Sequence, residues 1–354
     1  MDDRIKVLMV GPDRGVHGGI SAVVNGFYDA GLDRKVNLKY IGTMKEGSRI
    51  KKLLVAGFAF ARFLFSLPSA DIVHVHFSSD MSFMRKSYFI SAAHKFGKKL
   101  VLHQHGGDFK TFYGKELDDR GRLRVKKTLE MGNIMLVLTQ SWKEFFSEIA
   151  PSQKILVFPN GVHTVGTDIC NDKKDYNKIL FLGRICKDKG VSELLDAVSE
   201  IHKEKSDVKL YIGGIFEDAE YKSRIEECKE FVEYLGWVAG EEKEKLLSEC
   251  GILALPSYFE GFGIVVIEAM VKETAVVASD VGGIPDIITN GEDGVLVPPM
   301  DAKALKVALL NLIDSPITAQ KLGEKGRQKV LEMYSVEKNI ENLQKIYEDL
   351  LDKA

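Results

Sequence analysis

Short apolar runs of strand length alternate with helical stretches along the whole chain, and the alternation stops once and then starts again. In the first half the runs fall at residues 5–10, 72–76, 99–103 and 134–138. Each is nearly continuous in apolar residues rather than alternating, which is how a strand buried on both faces reads. Strands of that kind lie parallel and are joined by helical crossovers, so the pattern predicts βαβ units. Residues 162–177 are polar and lack an apolar period, which reads as a linker. Strand-like runs resume at 179–182, 209–212, 252–255, 275–278 and 295–297. Helical stretches at 191–203, 241–249, 264–271 and 302–313 are interleaved with them, and a last one at 335–352 follows another long helix with no strand between. The fold class is therefore α/β, as two halves with a cleft between them, and ligands are expected beyond the carboxyl ends of the strands. A length of 354 residues, at about 150 residues per domain, agrees with two domains.

The net charge of −2 argues against nucleic acid as a partner. It conceals an asymmetry. Residues 1–165 carry 25 Lys and Arg against 15 Asp and Glu, and the remainder carries 24 against 36. A basic first half and an acidic second half suggest an anionic partner for the first. Four cysteines, Cys170, Cys186, Cys228 and Cys250, contain no CxxC pair and predict reduced thiols. No basic-then-apolar leader opens the chain, so a cytoplasmic protein is expected. The longest apolar run, residues 53–67, is shorter than the roughly 18–20 residues that span a bilayer. A buried helix explains it, and an interfacial helix on anionic lipid, aided by Lys51 and Lys52, is the alternative.

Several loops carry candidate chemistry. Between the first strand and a helix starting near Ser21 lies a glycine-rich loop, in which Gly18 and Gly19 would let a ligand approach the backbone at a helix start. Its spacing is not GxGxxG, so a dinucleotide site is disfavoured, and a plain tight turn is the simpler reading. His103-Gln-His105-Gly-Gly-Asp108 follows a strand. Metal binding is disfavoured there, because the pair is not on a helix and no second ligand cluster is evident. His103 reads as a structural strand residue. Arg184 and Lys189 flank a turn and suit a diphosphate, with solvated surface charges as the plainer alternative. The most informative segment is residues 256–270. A strand ends at Pro256, a Gly261-Phe262-Gly263 loop opens a helix, and two carboxylates, Glu260 and Glu268, flank it. A helix start favours phosphate, whereas ionised carboxylates accept hydrogen bonds from sugar hydroxyls. A ligand that is both sugar and phosphate fits both demands.

Glu260 and Glu268, with seven residues between them, form an E-x7-E motif. In the same order along the chain stand the Gly18-Gly19 loop, Asp71-Ile-Val-His-Val-His76, His105-Gly106, Pro159-Asn160-Gly161, Gly183-Arg184 with Lys189-Gly190, and Gly282-Gly283-Ile-Pro285-Asp286. On this set the chain resembles family 4 of the retaining glycosyltransferases, of the kind that builds bacterial surface polysaccharides. The resemblance implies the GT-B fold, two Rossmann-like doubly wound domains facing across a cleft. It places an acceptor domain at 1–165 and a nucleotide-sugar domain at 166–335, with the helix 336–354 returning to the first. It implies that Arg184 and Lys189 hold the donor diphosphate, that Glu268 binds the ribose and that Glu260 contacts the sugar. Gly261, Phe262 and Gly263 would bind sugar and phosphate through their backbone, Gly18 and Gly19 would close on the diphosphate, and Trp237 and Val238 would meet the base. His105 would stand beside the reacting sugar, and Asp108 and Asn160 are candidate acceptor residues. The implied reaction retains configuration and uses neither cofactor nor metal, and no Asp-x-Asp motif is present. UDP is the expected nucleotide and GDP the alternative. The acceptor would be a glycan or lipid-linked saccharide at an anionic inner membrane surface. A GT-B epimerase, a pyridoxal-phosphate phosphorylase and a non-catalytic nucleotide-sugar-binding partner are the competing readings.

Overall fold

The computed structural model describes residues 4–45, 47–166 and 174–352. The chain forms two compact units, residues 1–163 with 336–354 and residues 164–335. Cys170 lies outside the described residues.

The first unit is built on six parallel strands: β1 (Lys6–Gly11), β2 (Asn37–Gly42), β3 (Ile72–Phe77), β4 (Lys99–Gln104), β5 (Ile134–Val137) and β6 (Ile155–Val157). Their spatial order is β2-β1-β3-β4-β5-β6. Its helices are α1 (Gly19–Asp29), α2 (Leu32–Lys35), α3 (Arg49–Ser66), α4 (Asp80–Lys95), α5 (Phe109–Thr111), α6 (Asp119–Leu129) and α7 (Gln140–Ile149). The central strands are buried at successive residues, so both faces of the sheet are covered. The order reverses between β1 and β3, whose crossovers leave in opposite directions, and the loops after these two strands diverge there.

The second unit repeats the principle with β7 (Asp175–Leu182), β8 (Lys209–Gly213), β9 (Val232–Gly236), β10 (Cys250–Leu255), β11 (Ala275–Ser279) and β12 (Val295–Val297). These strands are parallel in the order β12-β11-β10-β7-β8-β9, which reverses between β7 and β10. The helices are α8 (Val191–Glu204), α9 (Glu220–Glu227), α10 (Gly240–Glu249), α11 (Ile264–Val271), α12 (Ile284–Ile287), α13 (Ala302–Asp314) and α14 (Pro316–Met333). The last helix, α15 (Val336–Asp352), belongs to the first unit, where it packs on α1 and α2.

Two expectations need correction. The polar stretch 162–177 is not linker to its end, since Asp175 already opens β7. Gly251 explains this. A Cβ there would lie 2.6 Å from the Tyr176 Cα, so a bare glycine on β10 lets the polar start of β7 lie alongside it. The apolar run 53–67 is not a buried helix. Most of it lies in α3, which buries Ala59 and Phe63, with Phe60 and Phe63 edge-on to Phe89 of α4. Leu54, Phe58 and Phe65 face outward, Phe65 with 88% of its surface exposed. Among the described residues, no helix is long and apolar enough to cross a membrane.

Candidate active site

Open parallel sheets bind ligands beyond the strand ends where the strand order reverses. In the second unit that point lies between β7 and β10, and the loops leaving these two strands carry Arg184, Lys189 and Glu260. Close backbone approaches build the site. Gly190 has φ +67, and a Cβ there would stand 1.9 Å from the Pro256 carbonyl oxygen, so glycine alone lets the two loops meet. Tyr258 N donates to the Asp188 carbonyl at 2.8 Å, locking the same contact. Lys189 is thereby carried to Glu260, and the two form a largely buried ion pair. Ser257 Oγ donates to the same carboxylate at 3.3 Å.

The other side of the Gly261-Phe262-Gly263 turn is held by Gly282 and Gly283. Gly283 N donates to the Glu260 carbonyl at 3.0 Å. A Cβ on Gly282 would sit 1.7 Å from that same oxygen. The turn opens α11, whose first N–H groups lack partners within the helix and favour an anion. One turn into α11, Glu268 meets Lys243 of α10 at 2.6 Å. Arg184 meets Glu217 at 2.7 Å. Burial works against the Arg184 charge, but the bond and charge of Glu217 outweigh it and raise its pKa. Glu217 and Lys243 gave no signal in the sequence, because each is an ordinary surface charge until the fold pairs it. Trp237 is exposed at the end of β9, while Val238 turns inward, where a Cβ on Gly213 would meet it at 2.9 Å. These cations and carboxylates already satisfy one another. A diphosphate offers the same kind of oxygen that the carboxylates now offer, so it can take over the cations by exchange.

In the first unit the reversal between β1 and β3 brings forward the loop 11–19 and the residues after β3. Gly18 caps α1 in extended backbone, and nothing lies within 4 Å of the Cβ it lacks. Neither strain nor packing requires a glycine there. Asp108 caps the short α5, accepting from Thr111 N at 3.0 Å. Asn160 is buried, and its Oδ1 meets no hydrogen-bonding partner in good geometry.

His105 continues β4 by one residue, with its N–H on the Phe77 carbonyl at 2.9 Å. His103 lies inside β4 and is buried. Contrary to the expectation from the sequence, a second pair of ligand-bearing residues does accompany them. His74 and His76 of β3 lie beside them, and ring nitrogens of His74, His76 and His103 fall within 4.8 Å of one another. Sequence reasoning missed this, because the register that pairs His76 with His103 is a property of the sheet. Burial, aided by the neighbouring rings, pushes His76 and His103 well below the ordinary imidazole range. Burial also takes His74 to about 3 and His105 to about 3, the Asn160 side chain partly offsetting the latter. A further buried group went unread in the sequence. Lys86 of α4 bonds Thr43 Oγ1 at 2.6 Å, and burial pulls it down to about 7.

The comparisons agree on one class of protein. Residues 27–165 match the model described as Glycosyltransferase Family 4, and residues 169–329 match Glycosyl transferases group 1. An uncharacterized glycosyltransferase of Methanocaldococcus jannaschii is 28% identical over 285 residues, 80% of this chain and 76% of that one. The alpha-maltose-1-phosphate synthase of Mycobacterium tuberculosis is 32% identical over 195 residues, about half of each chain. Among solved structures, a sucrose-phosphate synthase from Thermosynechococcus elongatus superposes with a TM-score of 0.79 at 19% identity, covering 99% of this chain and 100% of that one. These likenesses establish the fold as two-domain GT-B.

Proposed function

The chain belongs to the family 4 glycosyltransferases, and from that premise we propose that it moves a sugar from a nucleoside-diphosphate donor, UDP first, to a glycan or lipid-linked acceptor with retention of configuration. The observation that carries this reading is the gathering of Arg184, Lys189, Glu260, Glu268 and the start of α11 around one strand-order reversal. Arg184 and Lys189 neutralise the departing diphosphate, which is electrostatic stabilisation of the charge that develops as the sugar leaves. The departing oxygen takes the acceptor proton, and the two cations do the work a metal does in other transferases. Glu268 accepts from the ribose hydroxyls and Glu260 from the donor sugar. His105 stands beside the sugar. Support for UDP comes from a protein of the same fold, the Anabaena HepE solved with UDP and glucose, 15% identical with a TM-score of 0.74 over 97% of this chain and 99% of that one.

The basic first unit and the outward face of α3 belong to the same reading. Leu54, Phe58 and Phe65, with the exposed Lys52 and Arg62, offer an anionic lipid surface both apolar burial and charge. Co-sedimentation with anionic vesicles at low salt, lost in a Phe58→Glu, Phe65→Glu variant, is the expected result. Equal binding by the variant rejects this face.

The primary test is a thermal-shift panel of UDP, GDP and ADP, free and as sugar conjugates, with and without EDTA. A ligand at about 100 times its Kd adds about 2.7 kcal/mol to stability. One base should raise the midpoint by several degrees, unchanged by EDTA. No response to any nucleotide, or a response abolished by EDTA, rejects the reading.

A further inference from the structure

The two units treat their buried cations differently. In the second unit Lys189, Lys272, Arg327 and Lys329 have mostly buried side chains, and each meets a carboxylate. In the first unit Arg85 and Lys86, neighbours on α4, meet none among the described residues. Lys86 is buried and bonds the Thr43 hydroxyl. Arg85 is half-buried, and its Nε is shut in without a hydrogen-bonding partner. Burial works against both charges, and no carboxylate offsets it. Charge taken out of water needs an opposite charge, and the chain supplies none to Arg85.

Arg85 is part of a strip. On α4 it shares a face with Met81, four residues before it, and Tyr88, three after it, and both are exposed. α6 runs beside α4. Its Arg124 lies over the Tyr88 ring, Cζ 5.6 Å from the centroid, and Nη2 stands 3.5 Å from Ser87 Oγ. Arg124 is exposed and, among the described residues, pairs with no carboxylate. Arg120 and Lys127, four residues before it and three after, extend the exposed basic side of α6. An exposed aromatic ring thus sits between guanidiniums from two helices.

The position of the strip narrows what it can meet. α4 leaves the carboxyl end of β3, a strand of the order reversal, and Arg85 lies about 8 Å along it from Asp80. Next to Tyr88, Phe89 packs on Phe60 and Phe63 of α3, the helix that carries the outward Phe58 and Phe65. Cations beside exposed apolar and aromatic side chains suit a molecule that is apolar at one end and phosphorylated next to it. Guanidiniums take phosphate oxygens in pairs, and a diphosphate esterified at both ends carries one charge per phosphate, one for each guanidinium.

We propose that Arg85 and Arg124 hold the diphosphate that joins lipid to saccharide in the acceptor, with Tyr88 between them at the membrane interface. This rests on the reading of the acceptor as lipid-linked. Held there, the saccharide lies toward the strand ends, where open parallel sheets bind ligands.

The test is calorimetric binding of farnesyl diphosphate to the full chain, set against farnesol, inorganic pyrophosphate and phosphatidylglycerol vesicles. Farnesyl diphosphate should bind, farnesol should not, and pyrophosphate should bind about 10-fold more weakly or less. Replacing both arginines, Arg85→Gln with Arg124→Gln, should lower the affinity for farnesyl diphosphate about 10-fold or more. Arg85→Lys in place of Arg85→Gln should recover only part, because an ammonium has no fork. Affinity within about twofold of wild type in the double variant overturns the proposal. Pyrophosphate binding as tightly as farnesyl diphosphate overturns it in favour of a site for free phosphate. An equal loss of vesicle binding overturns it in favour of a general face for anionic lipid, and displacement by UDP overturns it in favour of the donor site. Should the double variant not fold, the exposed Arg124 still decides: Arg124→Gln alone should cost about threefold or more, and no loss overturns the proposal. The two readings fail separately. No binding of farnesyl diphosphate to the wild-type chain removes the lipid-linked acceptor, whereas binding that survives the double variant removes only this site.

Discussion

The two strand-order reversals hold their polar groups by opposite means. In the second unit Arg184, Lys189, Glu260 and Glu268 are charged, and each meets an opposite charge. In the first unit the polar groups beside the reversal, on β3 and β4, are imidazoles that burial keeps uncharged and that bond one another. The exposed Arg184–Glu217 pair contributes little net stability, whereas the largely buried Lys189–Glu260 pair is held where a phosphate oxygen could replace the carboxylate only by desolvating in its turn. The buried rings bond one another rather than solvent. The second unit thus holds charges in pairs, and the first holds neutral rings in hydrogen-bonded pairs.

Acid should break the contrast most strongly. The folded-state values of His74 and His105, about 3, lie below the unfolded value of about 6.5, so the unfolded chain binds protons that the folded chain refuses. Stability is full above about pH 6.5 and declines as the pH falls. At pH 5.5 His74 and His105 each cost roughly 1 kcal/mol, and His76 and His103 act in the same direction. Trp142 is buried in the first unit and Trp237 exposed in the second, so urea unfolding of Trp237→Phe followed by Trp142 fluorescence reports the first unit. An unfolding midpoint unchanged between pH 7.5 and 5.5 would falsify the neutrality of the buried rings.

The glycines of the two sites sharpen the same contrast. Gly282→Ala drives a Cβ into the Glu260 carbonyl at a position with φ +57, and should lower stability by roughly 2–4 kcal/mol. In activity, Arg184→Ala and Lys189→Ala should each lower turnover about 100-fold or more, the size of losing one oxyanion donor. Near wild-type turnover in both removes the exchange of carboxylate for diphosphate. Gly18→Ala meets open space in extended backbone and should leave stability within about 0.5 kcal/mol. A drop in donor affinity without a drop in stability then marks Gly18 as a ligand contact, and a large stability loss contradicts the open surroundings of its missing Cβ.

Much of the fold was legible in the sequence. The strands read from apolar runs are found within a few residues of their expected bounds. The three that escaped, β2, β6 and β9, are all edge strands of their sheets. β2 and β9 are half open to solvent and interrupt their apolar residues with polar ones, whereas β6 is apolar but only three residues long. Of the site, the glycines and charged residues were legible because their spacing is local: Lys189 with Gly190, and Glu260 with the turn behind it. Glu217, Lys243, Lys86 and the His74–His76 pair were not, because nothing near them in sequence marks their partners.

The sequence by itself determined the two parallel α/β halves and the residue types at the candidate site, because burial on both faces of a strand, turn chemistry and helix starts are written in neighbouring residues. It could not determine which charges meet or which rings stack. Those depend on strand register and on which loops emerge side by side. Only the tertiary structure sets His76 against His103 across β3 and β4, sends α15 back to deliver Tyr347 to His74, and presses Gly282 onto the Glu260 carbonyl.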